Sequence, residues 1–485
     1  MLTISRTWRI LAVTNCMLLG LNCSSSAQGP VLDTSFLPTQ VWQETVGTRV
    51  SGVLNAIVRQ PDGNYVIGGV FTEINGMPAH NLARLLPDGT VDAAFTAASG
   101  TNGPVWALAL QADGKIVVGG SFSTLSGRNR LAIGRLLPTG AVDNTFMPPT
   151  ADLGNSSSTV YSLAIQPDGR ILLGGYFSIR GGTTRQLLDR LDGSTGLPDA
   201  DFQPYQPANT GVYSLLLLPS GKIVVGGAVA SYQQGTLLTQ LNPNGSPDNT
   251  FTSLLNTYTS EIRALAVDET GNIYAGGSYN SAGTGHPYLR RLRPNGTTDA
   301  SFTYQGNQLN TMRALRMQPN GRLLTGGMLT ERVLSTGALD ASFSSSNTPQ
   351  TASSPHNNQG INALLVQPDG AILVAGSIQH PSLRHITALV RLRDANVLQV
   401  SSSTAEARTN VWPVPSRQTL HLSLDASSEP QRVQLLDALG RPVRTLLQPK
   451  PALTVPLTGL AAGVYHVQVQ YAKAGLVVRR IVIQD

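Results

Sequence analysis

The chain has 485 residues, of which 41% are hydrophobic and only 13% charged, with 49 Gly and 30 Pro. That length exceeds what one non-repetitive core usually holds, and the profile excludes long solvated helices in favour of short strands joined by tight turns. The net charge of +6 does not argue for a nucleic-acid partner: Arg6 and Arg9 lie in the first 27 residues, residues 410–485 hold eight basic and four acidic residues, and residues 28–409 balance at 24 of each, without the clustered basic field that phosphate binding needs.

Residues 1–27 read as a secretory signal. Arg6 and Arg9 form its positive start, Ile10–Leu21 its apolar stretch, and Ser25-Ser-Ala27 the small residues expected at cleavage. The apolar stretch is too short to span a bilayer, and no later segment is long enough, so no transmembrane segment is expected after cleavage. Both cysteines, Cys16 and Cys23, fall within the signal. The mature chain is therefore expected to lack disulfides, Cys-ligated zinc and a Cys nucleophile.

Residues 28–400 are dominated by a unit recurring about every 50 residues. Its first half appears as LNAIVRQPDGNYVIGGVF (54–71), VWALALQADGKIVVGGSF (105–122) and VYSLAIQPDGRILLGGYF (160–177), with further copies at 212–229, 262–279, 312–329 and 361–378, seven in all. Its second half appears as LARLLPDGTVDAAF (82–95) or LRPNGTTDASF (292–302). Each half reads as two strands about a Pro-Asp-Gly-type turn, so each unit is expected to be a four-stranded antiparallel sheet. Such a sheet has two apolar faces, and radial stacking buries both, which predicts a β-propeller. The last unit, ending at ALVRLRDANVLQV (388–400), lacks the Asp-x-x-Phe end of the others, and that end stands instead at Asp33–Phe36. An N-terminal strand at 31–36 is therefore expected to close a seven-bladed ring. The Gln-Pro-Asp-Gly turns (Gln60–Gly63, Gln166–Gly169), the Gly-Gly-x-Phe ends (Gly68–Phe71, Gly119–Phe122, Gly174–Phe177) and the Asp-x-x-Phe ends resemble the delta-60 repeat of secreted bacterial propellers. The resemblance implies no enzymatic activity.

Strand parity places the variable connections on one face of such a ring, including 72–81, 123–130, 147–159, 178–186, 203–211, 280–287 and 344–360. Trp42, Tyr205, Tyr232, Tyr258, Tyr279 and Tyr304 lie on or beside them. Of these, Trp42, Tyr205, Tyr232, Tyr279 and Tyr304 are the candidate ligand-binding residues, since exposed rings stack on sugars or anchor protein partners. The recurring Asp33, Asp92, Asp143, Asp199, Asp248, Asp299 and Asp340, with Arg84, Arg135, Arg190, Arg291 and Arg391, read as a structural Asp–Arg pair rather than a cation or anion site. The run Asp192–Asp199 is rich in oxygen ligands but is not the EF-hand pattern. The seven His form no His-Glu-x-x-His pair, and neither a nucleophile elbow nor a phosphate loop is present. No catalytic residue, metal or cofactor is therefore expected.

Residues 401–409 read as a linker, and residues 410–485 as a small β-sandwich with strands at Leu420–Leu424, Arg432–Leu436, Val464–Val469 and Val477–Ile483. Val411-Trp-Pro413-Val-Pro415, Val433–Val443 with Gly440, and Leu460-Ala-Ala-Gly463-Val-Tyr465 resemble, in order, the three signatures of the type A sorting domain of type IX secretion. That resemblance implies the type IX machinery as partner, acting through residues 410–485, and an outer-membrane surface or extracellular location. The expected architecture is all-β, a seven-bladed β-propeller followed by a small β-sandwich. The expected role is a non-enzymatic surface binding or adhesion protein for a glycan or protein ligand. The alternatives are a secreted polysaccharide- or protein-degrading enzyme with its site on the variable loop face, and a structural surface-layer component.

Overall fold

The computed structural model describes residues 29–45, 48–149, 158–177, 186–202, 211–228, 238–253, 259–279, 289–307, 311–343, 348–351, 360–383, 385–394, 409–412, 416–437, 442–471 and 475–484. Residues 1–27, read above as a secretory signal, and residues 401–408 of the expected linker lie outside them. The chain is all-β, with propeller-like repeats followed by a separate C-terminal β domain. Among the described residues no helix is long and apolar enough to cross a membrane.

The first unit shows how the repeat folds. Val53–Arg59 pairs antiparallel with Tyr65–Val70, which pairs in turn with Leu82–Leu85. The turn between the first two strands closes with Gly63 donating to the Gln60 carbonyl, and Gly63 sits at φ 92°, open to Gly at no steric cost. The fourth strand is shorter than the sequence pattern suggests. It contributes one bridge, Leu85 to Val91, and later units repeat this with Leu136 to Val142, Leu191 to Pro198, Leu241 to Pro247 and Val333 to Leu339. The reason is local. The Asp of Asp-x-x-Phe accepts hydrogen bonds from the chain two or three residues on, as Asp143 does from the amide and hydroxyl of Thr145 at 2.9 and 2.6 Å. This Asx turn leads the chain out of the ladder. After Asp92 it runs into a short helix, Ala93–Ala98, N-capped by that Asp.

Units stack through shared cores. Val66, Leu82 and Phe95 of the first unit pack in one cluster with Val105, Ile116 and Leu136 of the next, and each later neighbouring pair shares a cluster of the same kind. A further cluster joins Leu54, Ile67 and Leu85 of the first unit to Leu373, Ala375 and Leu389 of the last. Val31–Leu32 pairs with Arg393 and Leu392, so the N-terminal segment is hydrogen-bonded into the last unit as the displaced Asp33–Phe36 motif predicts. The paired glycines make the stacking possible. A Cβ on Gly68 would lie 2.4 Å from Val105 Cγ1 of the next unit, and one on Gly69 2.0 Å from the Val53 carbonyl oxygen.

The C-terminal domain has a three-stranded sheet (Asn410–Trp412, Thr419–Ser423, Ala452–Pro456) and a four-stranded sheet (Pro442–Leu447, Pro430–Leu436, Gly463–Tyr471, Gly475–Ile483). The expected strands are present, and three more join them. Leu420, Leu422, Val433, Leu435, Val467, Val469 and Ile481 form the core, with Tyr465 buried among them. Gly440 lies outside the described residues.

Candidate functional site

The repeated Asp and Arg build a staple between units. Arg84 donates to Asp92 at 2.6 and 2.9 Å, and its Nη1 reaches the Pro138 carbonyl of the next unit at 2.6 Å, while its guanidinium lies 4.4 Å from the Phe95 ring centre. Arg135, Arg190, Arg291 and Arg391 repeat the arrangement with Asp143, Asp199, Asp299 and Asp33. Arg391 bonds Pro87 of the first unit, carrying the staple from the last unit back to the first. Arg332, not picked out by the sequence pattern, plays the same part with Asp340 and takes the carboxylate of Asp394 where other units offer a carbonyl. One unit departs. Gln240 replaces the Arg, and Lys222 holds Asp248 from a neighbouring strand at 2.7 Å. These carboxyls sit below their usual range. Burial pushes Asp143 up, but Thr145 and Arg135 outweigh it, and Lys222 and Thr250 bring Asp248 down to about 2. The set is engaged in ion pairs and hydrogen bonds within and between units. Among the described residues no three His, Cys, Asp or Glu side chains gather as a metal cluster.

The aromatic residues proposed for the loop face separate. Trp42 is half-buried on Val41–Thr45, a strand paired with Thr48–Ser51, and the Arg49 guanidinium covers its ring at 4.5 Å. Tyr304 is corrected: it is 3% exposed, packs with Tyr274, Phe302 and Met312, and donates its hydroxyl to Glu331. Its ring fills core and offers no surface. Tyr205, Tyr232 and Tyr258 lie outside the described residues, as does the Tyr279 side chain.

The structure brings together a different set. The inner strands carry a β-bulge near their start. Leu54 and Ala56 oppose the consecutive Gly69 and Gly68, leaving Asn55 as the extra residue. The same slip isolates Trp106, Tyr161, Tyr213, Arg263 and Asn362. A bulge re-aims its side chain out of the ladder. These residues and Arg313, the equivalent position in the remaining unit, line one cavity of about 190 Å³. The next position is Ala or Ser in every unit (Ala56, Ala107, Ser162, Ser214, Ala264, Ala314, Ala363), and these small residues line a continuing cavity of about 270 Å³ that shares Tyr213, Arg263, Arg313 and Asn362.

The lining is lopsided. Trp106 and Tyr161 have ring centres 6.0 Å apart, and Tyr161 and Tyr213 4.9 Å apart, tilted by 56° and 55°, which makes a continuous aromatic wall. Trp106 Nε1 donates to Ser121 Oγ at 2.9 Å, and that hydroxyl is itself 2.8 Å from Thr159 Oγ1. The Arg263 guanidinium lies 5.2 Å from the Tyr213 ring centre. Glu261 holds its Nε and Nη2, the latter at 2.8 Å, so Nη1 stays outside that pair. Burial lowers the Arg313 pKa, and the nearby Arg263 charge lowers it further. Burial also raises the Tyr213 phenol. The two amides close the ring: Asn55 donates to the Val105 carbonyl at 3.0 Å, and Asn362 to the Leu54 carbonyl and Asn55 Oδ1 at 3.1 Å each. Sequence reasoning passed over this set, although one signal marks it. Between an apolar position and a small one, the seven copies read Asn, Trp, Tyr, Tyr, Arg, Arg, Asn.

A domain of unknown function (DUF5122) beta-propeller matches residues 60–95, 111–146, 166–202, 218–251 and 270–302. A secretion system C-terminal sorting domain matches residues 410–484. Among curated proteins nothing matches the sequence. Similar solved structures include virginiamycin B lyase from Staphylococcus aureus, at 12% identity and TM-score 0.42 over 70% of this chain and 94% of that one. Others are the extracellular domain of a protein described as a hybrid two component system from B. thetaiotaomicron, at 10% identity and TM-score 0.35 over 96% and 76%, and PorZ, a surface component of the type IX secretion system of Porphyromonas gingivalis, at 12% identity and TM-score 0.20 over 89% and 86%. Likeness at this level assigns no activity.

Proposed function

We propose, from the premise that this chain is a protein of delta-60-like DUF5122 propeller repeats exported by type IX secretion through its C-terminal sorting domain, that it is a non-enzymatic binding protein. The sorting domain sends it to the cell surface or extracellular space and engages the secretion machinery. There the ring, of seven blades closed by the N-terminal strand, presents its channel mouth and loop face to a ligand. One observation carries this reading: at one equivalent position of the inner strands the side chains differ in chemistry from unit to unit, and they converge on one cavity. Packing asks the same residue of every unit, whereas recognition asks for different ones. Trp42, Tyr205, Tyr232 and Tyr279 are kept as a second, outer contact set on the loop face.

The test uses the mature full-length protein on a panel of polysaccharides and surface extracts, with binding and product read in the same wells. Saturable binding without product is expected. Product release would overturn the non-enzymatic reading, and silence in both channels would favour a surface-layer role. An experimental structure of the same protein would count the blades.

A further inference from the structure

We infer that the channel mouth takes a single acidic sugar ring, with the pyranose on the Trp106–Tyr161–Tyr213 wall and its carboxylate on Arg263 and Arg313. The inference rests on the binding role proposed above and names its ligand class.

The aromatic wall and the two guanidiniums occupy consecutive positions around one cavity. A sugar has apolar C–H faces and a hydroxyl rim, and tilted aromatic rings bearing phenol groups suit both. A neutral sugar explains the wall alone. It does not explain two guanidiniums at one mouth, answered by the carboxylate of Glu261 on Arg263. Like charges brought together in a partly buried site repel, and an anion between them removes that repulsion. Burial lowers the Arg313 pKa, the Arg263 charge lowers it further, and Glu261 offsets part of the shift. A planar carboxylate matches the guanidinium fork in shape as well as charge. The pair with Glu261 and the contact with Tyr213 fix the Arg263 plane in advance, so little freedom is lost on binding. The mouth, of about 190 Å³, is below the roughly 300 Å³ where drug-sized pockets begin, and the continuing cavity of about 270 Å³ carries neither Trp106 nor Tyr161, so the stacking wall holds one ring.

The experiment is calorimetric titration of the mature full-length protein with galacturonate and glucuronate beside galactose and glucose. Tryptophan fluorescence is followed in parallel. The acidic sugar is expected to bind at least about tenfold more tightly than its neutral counterpart, the range that hydrogen bonds to charged groups supply. Arg313→Gln is expected to remove that preference while leaving the melting temperature near wild type. Trp106→Phe is expected to keep most of the affinity and abolish the fluorescence response, which locates the sugar. Equal binding of acidic and neutral sugars would overturn the acidic assignment and leave the binding role standing. A preference indifferent to Arg313→Gln, with fluorescence unchanged by Trp106→Phe, would overturn the location. Absence of binding to all four sugars would overturn the inference, and the broader panel would then decide the binding role separately.

Discussion

Two bands of the ring obey opposite rules. Around the staples, unit after unit repeats the same Asp, Arg and Phe in the same contacts, and the one missing Arg, at Gln240, is answered by Lys222. Around the channel mouth the backbone bulge recurs but its side chain changes from amide to indole to phenol to guanidinium. Repetition marks what each unit needs from its neighbour. Divergence at a fixed backbone position is what the proposed binding role asks of the repeats together.

Substitutions in the staple band should therefore lower stability and spare binding, and those at the mouth the reverse. The largest effect is expected from Arg332→Ala. Its side chain is fully buried between Asp340 and Asp394, and its loss removes a buried cationic partner from both carboxylates at a cost of about 3–5 kcal/mol, read as a drop in the urea midpoint with ligand affinity unchanged. Next is Gly69→Ala, whose new Cβ would fall 2.0 Å from the Val53 carbonyl oxygen. Backbone displacement of that kind costs about 1–3 kcal/mol. Because the bulge at Asn55 faces this glycine, it is also the one staple-side change expected to disturb the mouth.

Acid comes third. Asp248 is held at about 2 in the fold, against about 3.9 in an unfolded chain. Below about pH 4 the unfolded state binds the extra proton, so this contribution is full above that pH and is lost as pH falls toward 2. Lys222→Met should flatten the acid limb of a stability–pH curve measured between pH 5 and 2, and an unchanged limb would show that Lys222 does not set it. A smaller change, of opposite sign, is expected from Gln318→Leu. Its equivalents Gln60, Gln111 and Gln166 accept from their own unit's Arg. Arg332 turns to Asp394 instead, and Gln318 is buried with no hydrogen-bond partner on either side-chain atom among the described residues. Removing an unpaired buried amide should stabilise by about 1 kcal/mol. The smallest effect on stability is at the mouth itself. Arg263→Gln breaks a half-exposed pair with Glu261 worth about 0–1 kcal/mol, so its midpoint should barely move while affinity for the acidic sugar falls.

The sequence by itself determined the repeat, its turns, the N-terminal segment that pairs with the last unit and the C-terminal sorting domain. Each of these is written in short-range patterns: alternating apolar residues, Pro-Asp-Gly turns and an Asp-x-x-Phe motif found at the wrong end of the chain. It also placed the Asp–Arg pairs, since both partners lie eight or nine residues apart in one unit, as Arg84 and Asp92 do. Tertiary structure decided the rest. Tyr304 looks like a loop aromatic in the sequence because neighbours in sequence do not show what packs above a ring, and Met312 and Glu331, which bury it, come from later in the chain. Trp106, Tyr161, Tyr213, Arg263 and Arg313 are about 50 residues apart along the chain. They become neighbours only because a bulge turns the first four side chains out of their ladders, Arg313 stands at the equivalent position, and the stacking of units gathers all five around one cavity.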